Sequence, residues 1–206
     1  MTTIETVTLE VADAASADSF YRTAFGLGGQ VRVRPSDAPT EGFRGFTLSL
    51  TVSQPGNAEA LLDAAVRAGA TVIKPAAKSL WGFGGTIQAP DGTIWKVATS
   101  AKKDTAPVEP RFDRIVLLLG VDDVSSSKRF YQERGLTIGK SFGWYVEFDT
   151  GSSPIGLGLY KRRALAKDAG VPEQGSGSHR IAIGGDAAFT DPDGFAWETL
   201  SRAAAS

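Results

Sequence analysis

The chain repeats itself. VADAASADSFY at residues 11–21 aligns without gaps on VDDVSSSKRFY at residues 121–131, and each copy then reaches a Gly-Leu pair, Gly26-Leu27 and Gly135-Leu136. Each half later carries PDGxxW, from Pro90 to Trp95 and from Pro192 to Trp197. Two signals in the same order argue for a duplicated unit, and a duplication constrains the fold before any composition does. Between the copies, SAKKDTAPVEP is polar and holds two prolines. It reads as a linker. The expected organisation is one module over 1–100, a linker over 101–110 and a second module over 111–202.

Within the first half, ETVTLEV alternates polar and apolar residues as a half-buried strand does. Asp13 is a helix N-cap, because its carboxylate can accept from the free amides of the first turn. Ala17, Phe20, Tyr21, Ala24 and Phe25 then recur at helical spacing as one apolar stripe, ended by Gly26. QVRVR and FTLSLTV predict strands. A second helix is expected with Asn57 as its cap and Gly69 as its stop. TVIKP, GGTIQA and TIWKVAT predict three more strands, the last two joined by the Pro-Asp-Gly turn. The second half opens alike, with RIVLLLGV, an Asp123-capped helix, and strands near LTIGKSF, WYVEFDT and IGLGLY. A short helical piece, KRRALAKDAG, follows, and GSGSHRIAIGGD leads into the last strand with no second long helix.

Composition sets the outer bounds. Apolar residues make up 42% and charged ones 22%, ordinary for a globular protein. Twenty-two basic residues against 23 acidic ones leave a net charge of -1, so nucleic acid and membrane are not expected partners. The absence of cysteine excludes disulfides, thiolate nucleophiles and cysteine metal sites. No basic start precedes an apolar run, and no stretch approaches 18 uninterrupted apolar residues, which points to a cytoplasmic protein. No GxSxG elbow, phosphate loop or dinucleotide fingerprint occurs.

A strand, a helix ending in FY, a Gly-Leu exit, further strands and a terminal DPDGxxWE strand resemble the glyoxalase, bleomycin-resistance protein and ring-cleaving (extradiol) dioxygenase superfamily, the vicinal oxygen chelate proteins. The resemblance covers nearly the whole chain. It implies an α+β fold of two abbreviated tandem βαβββ-type modules, whose curved mixed sheets form a concave cavity. It also implies where a divalent metal would sit, held by His, Gln or Glu from a first strand, a similar residue from a middle strand and Glu from a last strand.

On that pattern Glu198 stands at the terminal carboxylate and Lys96 at its counterpart in the other half. A protonated lysine has three donors and no acceptor and does not chelate. His179, the single histidine, begins the strand HRIAI where a middle ligand is placed, and Asp113 falls near the first. Thr6 stands at the first position of the other half. The candidate metal set is therefore His179, Glu198 and Asp113. Side chains alternate along a strand, so Trp95 faces one way and Ile94, Lys96 and Ala98 the other, and the resemblance implies that the second set faces the cavity. Trp95 and Trp197 are read as core. Trp81 and Trp144 lie in glycine-flanked segments and could stack on a planar ligand. Trp81, Phe83, Lys96, Trp144 and Tyr145 are the candidate lining residues. Lys161, Arg162 and Arg163 read as a solvated helix end.

Because the metal set is depleted, the expected function is binding of a small hydrophobic or aromatic molecule with no cofactor. One alternative is a divalent-metal-dependent lyase, isomerase or dioxygenase using His179 and Glu198, and another is a non-catalytic scaffold of the same fold. A homodimer is left open.

Overall fold

The structure is a computed structural model that describes residues 3–80 and 82–200. In the first half the chain forms β1 (Ile4–Val11), α1 (Ala14–Phe25), β2 (Val31–Pro35), β3 (Thr40–Gly42), β4 (Phe46–Thr51), α2 (Pro55–Arg67), β5 (Thr71–Ser79), β6 (Gly82–Gln88) and β7 (Ile94–Thr99). The second half adds β8 (Arg114–Val121), α3 (Val124–Glu133), β9 (Thr137–Phe142), β10 (Tyr145–Asp149), β11 (Ile155–Lys161) and α4 (Arg162–Ala169). It ends with β12 (Gly175–Gly177), β13 (Ile181–Gly185), β14 (Phe189–Thr190) and β15 (Ala196–Thr199). No helix among the described residues is long and apolar enough to cross a membrane.

These strands make curved, unclosed mixed sheets, and neither large sheet belongs to one half of the chain. In the eight-stranded sheet the order is β5-β6-β7-β4-β8-β11-β10-β9. Two complete βαβββ units compose it, one from β4 to β7 and one from β8 to β11, joined where β4 and β8 pair antiparallel. The five-stranded sheet, β14-β15-β13-β1-β2, takes its strands from both ends of the chain. It is joined by the antiparallel pairing of β1 with β13. The abbreviation seen in the sequence thus falls on the outer segments, while the middle of the chain is complete. β3 and β12 form a small ribbon between the halves. A Cβ on Gly175 would run into the Phe43 carbonyl, so only glycine permits that approach.

One core serves both sheets. Val7, Leu9 and Ile183 of the five-stranded sheet cluster with Leu48, Leu117 and Leu157 of the eight-stranded one, and Phe20, Phe25 and Leu61 of the helices pack among them. The helical stripe of α1 is buried as its spacing predicts. Asp13 accepts from the Ser16 amide at 3.0 Å and Asp123 from the Ser126 amide at 2.9 Å. Those amides hold both carboxyls below their usual range.

The two repeated sequence signals turn out to be one device. The Tyr131 hydroxyl donates to Asp191 Oδ2 at 2.6 Å and accepts from Trp197 Nε1 at 3.2 Å. In the first half Tyr21 and Trp95 repeat the pair, Tyr21 contacting Asp91 at 2.8 Å and Trp95 at 3.4 Å, but the acid there lies inside PDGxxW, whereas Asp191 stands one residue before that motif. Each Asp also accepts from amides of its own turn. The FY helix of one sheet is thereby bonded to the PDGxxW strand of the other, and both tryptophans are core residues, as expected.

Local chemistry departs from expectation at the start of α2. Gln54, not Asn57, holds the N-cap position, with proline next in the first turn. Both side chains are spent on the linker. The Gln54 amide oxygen accepts from the Thr105 and Ala106 amides, its nitrogen donates to the Ala106 and Pro107 carbonyls, and Asn57 Oδ1 accepts from the Glu109 amide. Residues 101–110 carry no regular structure, yet they are bound to the helix rather than free.

Candidate functional site

Alternation in β7 turns Trp95 and Val97 into the core and Ile94, Lys96 and Ala98 to the opposite, concave face. Register carries this face across the sheet. One row runs Thr86, Lys96, Ser49, Val116 and Gly156. The next runs Thr47, Leu118, Gly158, Glu147 and Lys140, and a third Gly120, Tyr160, Tyr145 and Phe142. Where the family pattern wants donors from first and last strands, the first row offers an ammonium, a hydroxyl, an isopropyl group and a glycine. Such a set does not fit a divalent metal.

Helix α4 lies on this face. Leu165, Ala166 and Ala169 are buried against Phe43, Ile94 and Leu118, with Ile73, Val116, Tyr160 and Val171 around them, in a cluster separate from the main core. Cations hold both ends. Arg162, read from sequence as part of a solvated end, donates to the Phe43 carbonyl at 2.6 Å and the Glu173 carbonyl at 3.2 Å. At the other end Lys74 Nζ donates to the carbonyls of Lys167 and Asp168 at 2.8 and 2.6 Å, where the helix dipole favours positive charge. Lys96 Nζ bonds both carboxylate oxygens of Asp168, at 3.0 and 2.8 Å. Beyond that end a pocket of about 330 Å³ opens, bordered by Lys74, Lys78, Thr86, Lys96 and Asp168. Phe83 borders it too, but its ring belongs to the main core.

Across the same face stands a group of rings. Tyr145 and Tyr160 have centroids 4.7 Å apart, and Trp144 lies 5.5 Å from Tyr160. Phe142 stacks on Tyr145 at 6.4 Å. Phe142 and Trp144 are 58% and 54% exposed. The Tyr145 hydroxyl donates to Glu147 Oε2 at 3.1 Å. Burial, then the Glu147 charge, pushes that phenol well up. Tyr160 is pushed up to about 12 by burial and then by the charges of Asp168 and Glu147. Trp81 lies outside the described residues.

The three candidate metal ligands do not converge. His179 stacks on Phe195 at 3.9 Å, with Nδ1 2.7 Å from the Arg44 carbonyl oxygen and Nε2 2.9 Å from that of Asp193. A metal on either nitrogen would have to displace a backbone contact. Asp113 is exposed beside β8 of the eight-stranded sheet, whereas Glu198 is on β15 of the five-stranded one. Glu198 is engaged by Arg34, which also binds Glu10, with contacts of 2.7 to 3.1 Å to the two carboxylates. Bonds to Glu198 and then Glu10 raise the guanidinium pKa further still. Among the described residues no group of three or more His, Asp or Glu could hold a metal ion.

Sequence reasoning passed over Asp168, Tyr160, Glu10 and Arg34. Alternation in ETVTLEV and QVRVR does place Glu10 and Arg34 on the outward face of their strands, but nothing local says that they meet. Asp168 and Tyr160 carry no motif.

Paired βαβββ units around a concave face define the vicinal oxygen chelate fold, shared by glyoxalases, bleomycin-resistance proteins and dioxygenases, and the chain has that fold. Glyoxalase I from Zea mays superposes with a TM-score of 0.64 at 13% identity, covering 98% of this chain and 92% of that one. A mutant of the same enzyme gives 0.62 at 13%, over 98% and 92%. A candidate dioxygenase from Bacillus subtilis subsp. subtilis str. 168 gives 0.57 at 14% identity, over 93% of this chain and 71% of that one. No protein-family model and no curated protein matches the sequence.

Proposed function

We propose that this protein binds a small, planar, largely apolar molecule on the concave face of its eight-stranded sheet, without a metal. The observation that carries the reading is the group of Phe142, Trp144, Tyr145 and Tyr160, two of them more than half exposed, on the face that the fold makes concave. Roughly 100 Å² of apolar ligand surface removed from water there is worth about 2.5 kcal/mol, before stacking adds to it. Helix α4 occupies the centre of the face, so the ligand takes the space between the end of α4 and the rings.

A thermal-shift panel of aromatic compounds, run in EDTA, tests this. At least one planar compound raises Tm, and Trp144→Ala together with Tyr160→Ala removes the effect while leaving the circular dichroism spectrum unchanged. If no compound binds with or without added divalent metal, the reading fails.

A further inference from the structure

We propose that the ligand carries an acidic group, and that Asp168 occupies the place of that acid until the ligand arrives. The inference rests on the binding reading above and names the chemical class bound: an aromatic carboxylate.

Charge is unbalanced around the pocket. Lys74, Lys78 and Lys96 border it, and among the described residues that do so Asp168 is the one acid. Lys74 spends its ammonium on two main-chain carbonyls of α4, and these are neutral acceptors. Lys96 already performs carboxylate recognition, bonding both oxygens of Asp168 from the floor of the sheet. Side chains in this pair are 32% and 37% exposed. Solvent screens a pair so open, and one carboxylate can exchange for another there. A Lys96 without a partner would face the pocket as a bare cation, which explains why the chain supplies a stand-in.

The aromatic part of the assignment comes from what lies next to Asp168. Tyr160 packs against the cluster that α4 buries, which includes Ala169, the residue after Asp168, and the Asp168 charge is among those that raise the Tyr160 phenol. Tyr160 in turn is the ring next to Tyr145. An acid bonded to Lys96 therefore directs its ring toward Tyr160 and Tyr145 along one face. A neutral aromatic molecule gains the rings but leaves Lys96 with Asp168.

Calorimetric titration of the full-length chain with matched acid and amide pairs, naphthoate with naphthamide and cinnamate with cinnamamide, separates the claims. The acids bind roughly threefold tighter than their amides, because the bond gained to Lys96 is set against the exposed Asp168 pair that it displaces. Lys96→Met abolishes that preference and leaves amide affinity unchanged. Asp168→Asn, which removes the competitor, tightens the acids several-fold and leaves the amides alone. Equal affinity of acid and amide in the native protein overturns the inference while the binding reading stands, as does a preference that survives Lys96→Met. Unchanged acid affinity in Asp168→Asn refutes the stand-in role. Failure of every acid and amide to bind takes down both.

Discussion

Lys96 and Glu198 hold the same position on twin strands, and each is neutralised from the other half of the chain: Lys96 by Asp168 at 2.8 Å, Glu198 by Arg34 at 2.7 Å. The twins differ in sign but share a condition. A partly buried charge on the outward face of a curved sheet needs a counter-charge within a few ångströms, and in both cases the partner comes from an element that the other half contributes. Together with the pairing of β1 with β13 and of β4 with β8, this makes each half a poor candidate for folding alone.

Removing a hydroxyl from either tyrosine network costs stability. Tyr131→Phe leaves the Trp197 N–H and one oxygen of the buried Asp191 carboxylate without their partner, and about 1 to 3 kcal/mol is expected from urea denaturation. Tyr21→Phe costs less, because the Trp95 contact there is longer, 3.4 Å against 3.2 Å.

Alkali destabilises the fold through the same residues. Burial, and then the charges of Asp91 and Asp191, hold the Tyr21 and Tyr131 phenols well above their ordinary 10.0. A phenol raised in the folded state gives its full stabilisation below about pH 10 and loses it as pH climbs past the unfolded value. Melting temperature is therefore flat to about pH 9 and falls beyond it. Either Tyr→Phe variant removes about one proton from the slope. A variant slope equal to that of the native protein contradicts the assignment.

Apolar contact rather than the ion pair holds α4 on the sheet. Leu165 is fully buried, and Leu165→Ala is expected to cost about 2 to 4 kcal/mol in the protection of amides 162–169 against hydrogen exchange, with β8 and β11 still protected. Lys96→Met costs about 1 kcal/mol or less, because both members of its pair are about a third exposed.

Arg34 is not replaceable by another cation. Its planar fork reaches Glu10 and Glu198 together, which a single ammonium cannot do equally well. Arg34→Met leaves two carboxylates facing each other, the Glu10 side chain only 19% exposed, for a loss of about 1 to 2 kcal/mol after solvent screening. Arg34→Lys falls between the two in urea denaturation.

Much of the architecture was legible in the residues. FY and PDGxxW, found twice in one order, supply the tyrosine and the tryptophan of a hydrogen-bonded device. Its aspartate comes from inside PDGxxW in the first half, Asp91, and from just before it in the second, Asp191. Capping by Asp13 and Asp123 and the opposed faces of Trp95 and Lys96 follow from rules that act within a few residues. The linker shows the limit of such rules: its polar, proline-containing composition predicts a loop, and Gln54 and Asn57 hold that loop from a distance that composition does not register. His179 entered the candidate set through the family resemblance. A lone histidine at a strand start is more often locally hydrogen-bonded than a ligand, and here its ring stacks on Phe195 with both nitrogens against carbonyl oxygens.

The sequence alone determined the repeated unit, the caps, the turns and which side of each strand is oily, because these depend on periodicity and on bonds between near neighbours. Tertiary structure alone decided that the central units are complete, that α4 lies in the concavity, and that Lys96 meets Asp168 while Arg34 meets Glu10 and Glu198. Those meetings depend on which strands pair across more than a hundred residues of chain. A side chain's partner is set by where the sheet curves, and no local pattern encodes that curvature.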